Sequence, residues 1–313
     1  MSLTIGVDIG GTKVAAGVVD EAGAILAQVK RATPSDSPAE TVAVIAACVQ
    51  ELVAGHAVSA VGVGAAGFVD ADRSTVLFAP NVAWRDEPLR AAVEQACRLP
   101  VIVENDANAA AWGEVRFGAG RGHRFVVVVT VGTGIGGGFV LNGELYRGRW
   151  GIGAEIGHIN VVPQGRRCGC GNLGCWEQYA SGRALEREAR ELAAAPVLGA
   201  RLLELAGGQV SAISGPEITQ AAREGDAAAV ESFRVVGTWL GHGLADLAAA
   251  LDPGLFVLGG GVSEAGELLA GPARRSFRER LTGRGHRPYA EVRLAELGAE
   301  AGLVGAADLA RYR

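Results

Sequence analysis

Three short stretches of this sequence carry groups that could move a phosphoryl group onto a hydroxyl. The first is Val101-Ile102-Val103-Glu104-Asn105-Asp106, an apolar strand ending in acidic and amide groups, after which an alanine-rich helix begins. Strand ends of this kind are where α/β folds present functional groups to a ligand. Phosphoryl transfer needs a carboxylate to take the proton of the attacking hydroxyl; the rest is positioning and charge neutralisation. Asp106 has that chemistry. Helix capping competes for the same residues, because Asn105 or Asp106 could satisfy the open N–H groups of the next turn. One can cap while the other catalyses.

The second feature is a set of glycine turns. Asp8-Ile9-Gly10-Gly11-Thr12-Lys13, Gly132-Thr133-Gly134 and Gly259-Gly260-Gly261 each follow an apolar run. Glycines at such turns let backbone N–H groups approach phosphate oxygens without interference from a Cβ, and a threonine hydroxyl adds a donor. Asp8 at the strand end could orient Mg²⁺, directly or through water. The first turn lacks P-loop spacing and leads into a strand rather than a helix. An ordinary hairpin accounts for one such turn; three together favour a bound nucleotide.

The third is His158, Cys168, Cys170 and Cys175, four soft or borderline ligands suited to tetrahedral zinc rather than free thiols. A Cys168–Cys170 disulfide would close a strained ring. Four protein ligands leave no open position, so the ion is expected to be structural. The same loop carries Glu155 and Glu177, which with His158 offer the polar groups that sugar hydroxyls need. Solvated surface charge is the competing reading for both glutamates.

These groups need elements to hold them. Leu3, Ile5, Val7 and Ile9, then Val14, Ala16 and Val18, alternate with small or polar residues about the first turn, which predicts a β-hairpin. A helix is expected over about 39–54, with Val42, Ile45, Val49 and Val53 on one face. Buried strands are expected over 58–65, 100–103, 126–131 and 255–258. A long helix is expected over about 226–251, where Val230, Phe233, Val236, Leu240, Leu244, Leu247 and Leu251 recur at three- and four-residue steps. An apolar tail helix over 301–310 is expected to pack back on the first lobe. The segment Thr130-Val131-Gly132-Thr133-Gly134 echoes Asp8-Ile9-Gly10-Gly11-Thr12, which points to a duplicated architecture.

Composition narrows the class. At 49% hydrophobic and 20% charged, the 313-residue chain can bury two sizeable cores. Its formal net charge of -5 and lack of a basic stripe argue against nucleic acid as partner. The N-terminus lacks a signal-peptide pattern, and no apolar run is long enough to span a bilayer. Five cysteines, three of them between 168 and 175, fit a reducing compartment, so a cytoplasmic location is expected.

Asp8-x-Gly-Gly-Thr-Lys13, Glu104-Asn-Asp-Ala-Asn-Ala109, Gly132-Thr-Gly-x-Gly-Gly137, Glu155-x-Gly-His158 and Cys168-Gly-Cys-Gly-x-x-Gly-Cys175-x-Glu177 together resemble the ROK family of bacterial sugar kinases and repressors. The resemblance spans Ile5 to the 302–307 tail. Within the family, Ala79-Pro80-Asn81-Val82-x-Trp84 and Trp176-Glu-Gln-Tyr-Ala-Ser-Gly182 are most similar to the actinobacterial ATP-dependent glucokinases. The resemblance implies an α/β, actin-like ATPase (ribonuclease H-like) fold. It has a duplicated βββαβα-type core and two lobes, 1–107 with about 298–313 and 108–297, with a cleft between them.

It also implies Asp106 as general base for the 6-hydroxyl of glucose. Asn105, Asp106, Glu155, His158 and Glu177, with Gly67 and Asn81, would hold the sugar. Asp8 and Gly10, Gly11, Thr12 and Lys13 of the first turn, with Gly132, Thr133 and Gly134, would face ATP phosphates and Mg²⁺. The adenosine would lie near Gly259, Gly260 and Gly261, and zinc would sit on His158, Cys168, Cys170 and Cys175. Relatives form homodimers or homotetramers, and some use polyphosphate. Mannose, fructose, allose or N-acetylmannosamine are alternative substrates. A sugar-sensing regulator is the alternative class, disfavoured because the first strand, expected from Leu3, leaves no room for a preceding helix-turn-helix.

Overall fold

The computed structural model describes residues 2–79, 82–195 and 198–312. Its first half holds strands β1 (Leu3–Ile9), β2 (Lys13–Val19), β3 (Ile25–Ala32) and β4 (Val58–Ala65), with helix α1 (Pro38–Val53) before β4. A small sheet follows, β5 (Phe68–Val69), β6 (Val76–Phe78) and β7 (Arg85–Glu87), then α2 (Leu89–Cys97), β8 (Val101–Asn105) and α3 (Asp106–Phe117). The second half opens with β9 (Val126–Val131), β10 (Ile135–Leu141) and β11 (Glu144–Tyr146). Helices α4 (Glu177–Ala180), α5 (Gly182–Ala193), α6 (Ala200–Leu205), α7 (Gly215–Arg223) and α8 (Ala227–Leu251) come next. Last are β12 (Leu255–Gly259), α9 (Glu267–Arg280), β13 (Glu291–Leu294) and α10 (Ala301–Leu309).

The expected hairpin is β1–β2, paired antiparallel, and β4 and β8 extend the sheet in parallel. The sheet order is β3-β2-β1-β4-β8, and the second large sheet repeats it as β11-β10-β9-β12-β13. Each half is thus a three-stranded meander followed by two crossover strands. This is the duplicated α/β arrangement of an actin-like ATPase fold.

The chain divides into two compact units, Met1–Val128 with Gly137–Ala154 and Glu296–Arg313, and Val129–Gly136 with Glu155–Ala295. Residues 108–128 and 137–154, placed in the second lobe by the sequence reading, lie in the first unit. The reason is packing: α3 lies against α10, and Arg147 bonds to Glu104 of β8 and to the Asp70 and Ala71 carbonyls.

Strand periodicity explains how α10 is seated. Ile5, Val7, Ile9, Val61, Val63, Val101 and Val103 face one core with α1 and α2. Between them, Gly6 and Gly62 face the other side. A Cβ at Gly6 would lie 1.9 Å from the Leu303 carbonyl oxygen, and one at Gly62 would lie 1.8 Å from that of Ala306. Only glycine admits the helix backbone at that distance. The tail helix therefore packs back on the first sheet as expected, and it braces α3, whose first residue is Asp106.

In the second unit α8 runs along α9 and also meets α5 and α7, while Phe256 of β12 meets Phe277 edge-on at 5.6 Å. The long helix forms where its apolar spacing predicts, capped by Asp226, whose side chain accepts the amide of Ala229. Val230 departs from the expected buried stripe. It lies in the first turn and is 41% exposed.

Candidate active site

In the first unit, β8 delivers Asn105 and Asp106 to the start of α3. Asn105 is the cap: its Oδ1 accepts the amide of Asn108 at 3.0 Å, and its Nδ2 donates to the Gly67 carbonyl at 3.0 Å. Asp106 is thereby relieved of capping and occupies the first helical position, its Oδ1 accepting the Ala107 amide at 2.9 Å. Burial pushes its carboxyl above the ordinary carboxylate range, against the lowering pull of that amide. A carboxylate with a raised pKa is a stronger base once ionised. Gly67 has φ +133, and a Cβ there would lie 2.2 Å from the Phe78 carbonyl oxygen. Asn81 lies outside the described residues.

Asp8 is the penultimate residue of β1 in the same unit. Its carboxyl is raised to about 6, first by burial and then by the charge of Asp106, with Lys13 pulling the other way. The charge of Asp106 disfavours that of Asp8, a penalty a divalent cation would relieve, and Asp8 fits Mg²⁺ in that sense. The following turn is held by the Gly10 amide donating to the Lys13 carbonyl at 2.9 Å and by Thr33 Oγ1 donating to the Gly10 carbonyl at 2.8 Å. Gly11, Thr12 and Lys13 are left exposed at its tip.

In the second unit, Gly132 and Thr133 line a cavity of about 1010 Å³ together with Gly261. The Gly182 amide, at the start of α5, donates to the Gly132 carbonyl at 2.8 Å, so a helix N-terminus meets the turn. Such a terminus attracts phosphate. Gly260 has φ +82, and a Cβ there would lie 2.6 Å from the Val131 carbonyl oxygen, so glycine lets this turn lie on β9. The cavity is completed by Arg183, by Ser214, Gly215 and Pro216 at the start of α7, and by Arg223 and Glu264. Sequence reasoning missed all of these. Ser214-x-x-Glu217 is a capping box, formed here through both partners, and that spacing could have flagged the helix start.

The ligand atoms of His158, Cys168, Cys170 and Cys175 all lie within 4.8 Å of one another. Cys168 Sγ is 3.6 Å from His158 Nδ1, and Cys170 Sγ is 3.6 Å from Cys175 Sγ. Donors about 2.0–2.3 Å from a tetrahedral zinc stand roughly that far apart, so the four residues fit the ion. Burial pushes the Cys168 thiol up to about 12. A dication supplies the charge that would make it a thiolate.

Glu177 reaches this centre from α4. Its Oε1 lies 3.0 Å from Cys168 Sγ and 4.0 Å from His158 Nδ1. Glu155 precedes the short turn Ile156–His158, and its carbonyl accepts the His158 amide at 3.1 Å. The structure therefore gathers Asn105, Asp106, Gly67 and Asp8 within the first unit. Within the second it gathers the metal ligands with Glu177, and Gly132 and Thr133 with Gly261.

Comparison with known proteins shows the family. The profile of the ROK family matches residues 4–313. A glucokinase of Streptomyces coelicolor is 55% identical over 312 residues, covering 99% of this chain and 98% of that protein. The crystal structure of a ROK family glucokinase from Streptomyces griseus, in complex with glucose and AMPPNP, is 59% identical. It superposes with a TM-score of 0.92 over 100% of both chains. A ROK hexokinase from Thermus thermophilus is 37% identical with a TM-score of 0.80, covering 99% of this chain and 98% of that one. With its motifs, its duplicated fold and these full-length likenesses, the chain belongs to the ROK family.

Proposed function

We propose that this protein is an ATP-dependent glucokinase, transferring the γ-phosphoryl group of ATP to the 6-hydroxyl of glucose. The observation that carries this reading is the division of labour at the start of α3. Asn105 caps the helix, which leaves the half-buried carboxyl of Asp106, its pKa raised, to take a proton. The 59% identity to a glucokinase solved with glucose and AMPPNP supports the choice of sugar and donor.

Asp106 accepts the proton of the sugar hydroxyl as its oxygen attacks the γ-phosphorus in line, and ADP leaves. The proposed sugar contacts are Asn105, Gly67, Asn81, Glu155, His158 and Glu177, whose amide, backbone and carboxylate groups suit hydroxyl binding. Backbone amides at Gly10 to Thr12 and Gly132 to Gly134, with the start of α5, take the phosphates. The adenosine occupies the cavity lined by Gly261. Mg²⁺, held by Asp8, would neutralise charge on the phosphates. Zinc on His158, Cys168, Cys170 and Cys175 would fix the loop that carries Glu177. A homodimer or homotetramer and a cytoplasmic location accompany this reading; none of the described helices is long and apolar enough to cross a membrane.

The test of the base is Asp106→Ala. Turnover should fall by a factor on the order of 10³ or more while glucose binding stays measurable by calorimetry. Turnover near that of the native protein would refute Asp106 as base.

A further inference from the structure

Glu104 stands one residue before the cap and two before the base, and its side chain is 1% exposed. A buried carboxylate persists only when paired and hydrogen-bonded. Its Oε1 accepts the amide of Asn105 at 2.9 Å, Asn108 Nδ2 at 3.1 Å and Arg147 Nε at 3.1 Å. Its Oε2 lies 2.8 Å from Arg147 Nε and 3.1 Å from Arg73 Nε. The carboxylate thus sits under the first turn of α3 and grips it by a backbone amide and a side-chain amide.

Arg147 carries the grip onward. Its Nη1 donates to the Ala71 carbonyl at 2.9 Å and its Nη2 to that of Asp70 at 2.8 Å, so one planar guanidinium spans carboxylate and loop. The chain beyond Arg147 lies flat on that loop because residue 151 is glycine: a Cβ there would be 2.5 Å from the Val69 carbonyl oxygen. The same loop begins at Gly67, whose carbonyl receives Asn105 Nδ2. The helix start and the 67–73 loop are therefore cross-linked through Asn105, through Glu104 and Arg147, and directly through Glu104 and Arg73.

We propose that Glu104 and Arg147 are a positioning pair for the phosphoryl-transfer step, fixing the helix turn that carries Asp106 against the 67–73 loop. This rests on the reading of Asp106 as the base. Neither residue touches Asp106; both act through the Asn105 backbone and the Asn108 side chain. Reacting atoms must be held about 3–3.5 Å apart, and a displacement of about 1 Å costs on the order of 10²-fold in rate.

The experiment compares Glu104→Gln, Arg147→Met, the double variant and Asp106→Ala. It measures kcat and KM for glucose and for ATP per folded molecule, with the folded fraction taken from circular dichroism. Each single variant should lower kcat about 10- to 100-fold and leave the KM for ATP within about twofold. The double variant should fall no further than the worse single one, because the pair acts as a unit. A lowered Tm with kcat per folded molecule unchanged, or losses that multiply in the double variant, would overturn the proposal. Should Glu104→Gln fail to fold, Arg147→Met decides alone, since Arg147 is 11% exposed and nearer the surface. Lost turnover in Asp106→Ala beside native kcat in the other two refutes only the positioning pair. Full turnover in Asp106→Ala refutes the base, and the pair with it.

Discussion

Gly134 is packed against the Glu177 carboxylate: a Cβ at Gly134 would lie 2.5 Å from Glu177 Oε2. The turn after β9 and the helix after the metal loop thus constrain each other within one unit. The atom in the way is the far end of a flexible side chain, so an added methyl would displace the carboxylate rather than the backbone.

Gly134→Ala therefore separates Glu177 from the rest of the fold. Stability should change by less than about 1 kcal/mol, because the carboxylate can swing aside. The KM for glucose should rise about 10-fold or more, the value of one lost hydrogen bond to a charged group. Steady-state kinetics with a thermal melt checks both. An unchanged glucose KM would remove Glu177 from the sugar contacts.

Asp8 makes a prediction about pH. Its folded-state pKa of about 6 lies above the ordinary 3.8, so the folded protein holds that proton more tightly than the unfolded chain does. Its favourable contribution is present below pH 3.8 and is lost as pH rises through about 6. Asp8→Asn should then stabilise the metal-free protein by about 1–3 kcal/mol at pH 7.5, with the gain vanishing near pH 4. Turnover should fall about 10²-fold or more, since the proposed magnesium ligand is gone. Denaturant melts at the two pH values measure this. Equal stability of variant and native protein at pH 7.5 would contradict the desolvation argument.

Much of this was legible in the sequence, for identifiable reasons. Alternating apolar residues marked β1 and β2, and apolar residues at three- and four-residue steps marked α1 and α8. Near-continuous apolar runs marked β4 and α10, which fits their burial on nearly every side. The four metal ligands were legible because one His and three Cys within a single 18-residue span are the donor set of a tetrahedral zinc site. Strands β5 to β7 were not, since two or three residues establish no period. Glu104 reads in sequence as one more acidic group beside Asn105 and Asp106. Its burial depends on Arg147, 43 residues away, which only the fold brings to it. Val230 misled because periodicity says which residues share a helix face, and the first turn of α8 leaves that face uncovered.

Zinc removal tests the metal loop. Metal analysis should find about one zinc per chain, as four protein ligands in one tetrahedral site require. Chelation should lower Tm and weaken glucose binding together, because Glu177 lies 3.0 Å from a ligand sulfur. Loss of turnover with both properties intact would make the ion catalytic rather than structural.

The central claim is tested most directly by ADP release from Mg-ATP, with each of a panel of hexoses at matched concentration and a control without sugar. Glucose should give the highest kcat/KM, with mannose, fructose, allose and N-acetylmannosamine well below it. A different preferred hexose would contradict the substrate assignment, and binding of sugar without any ADP release would contradict the kinase itself.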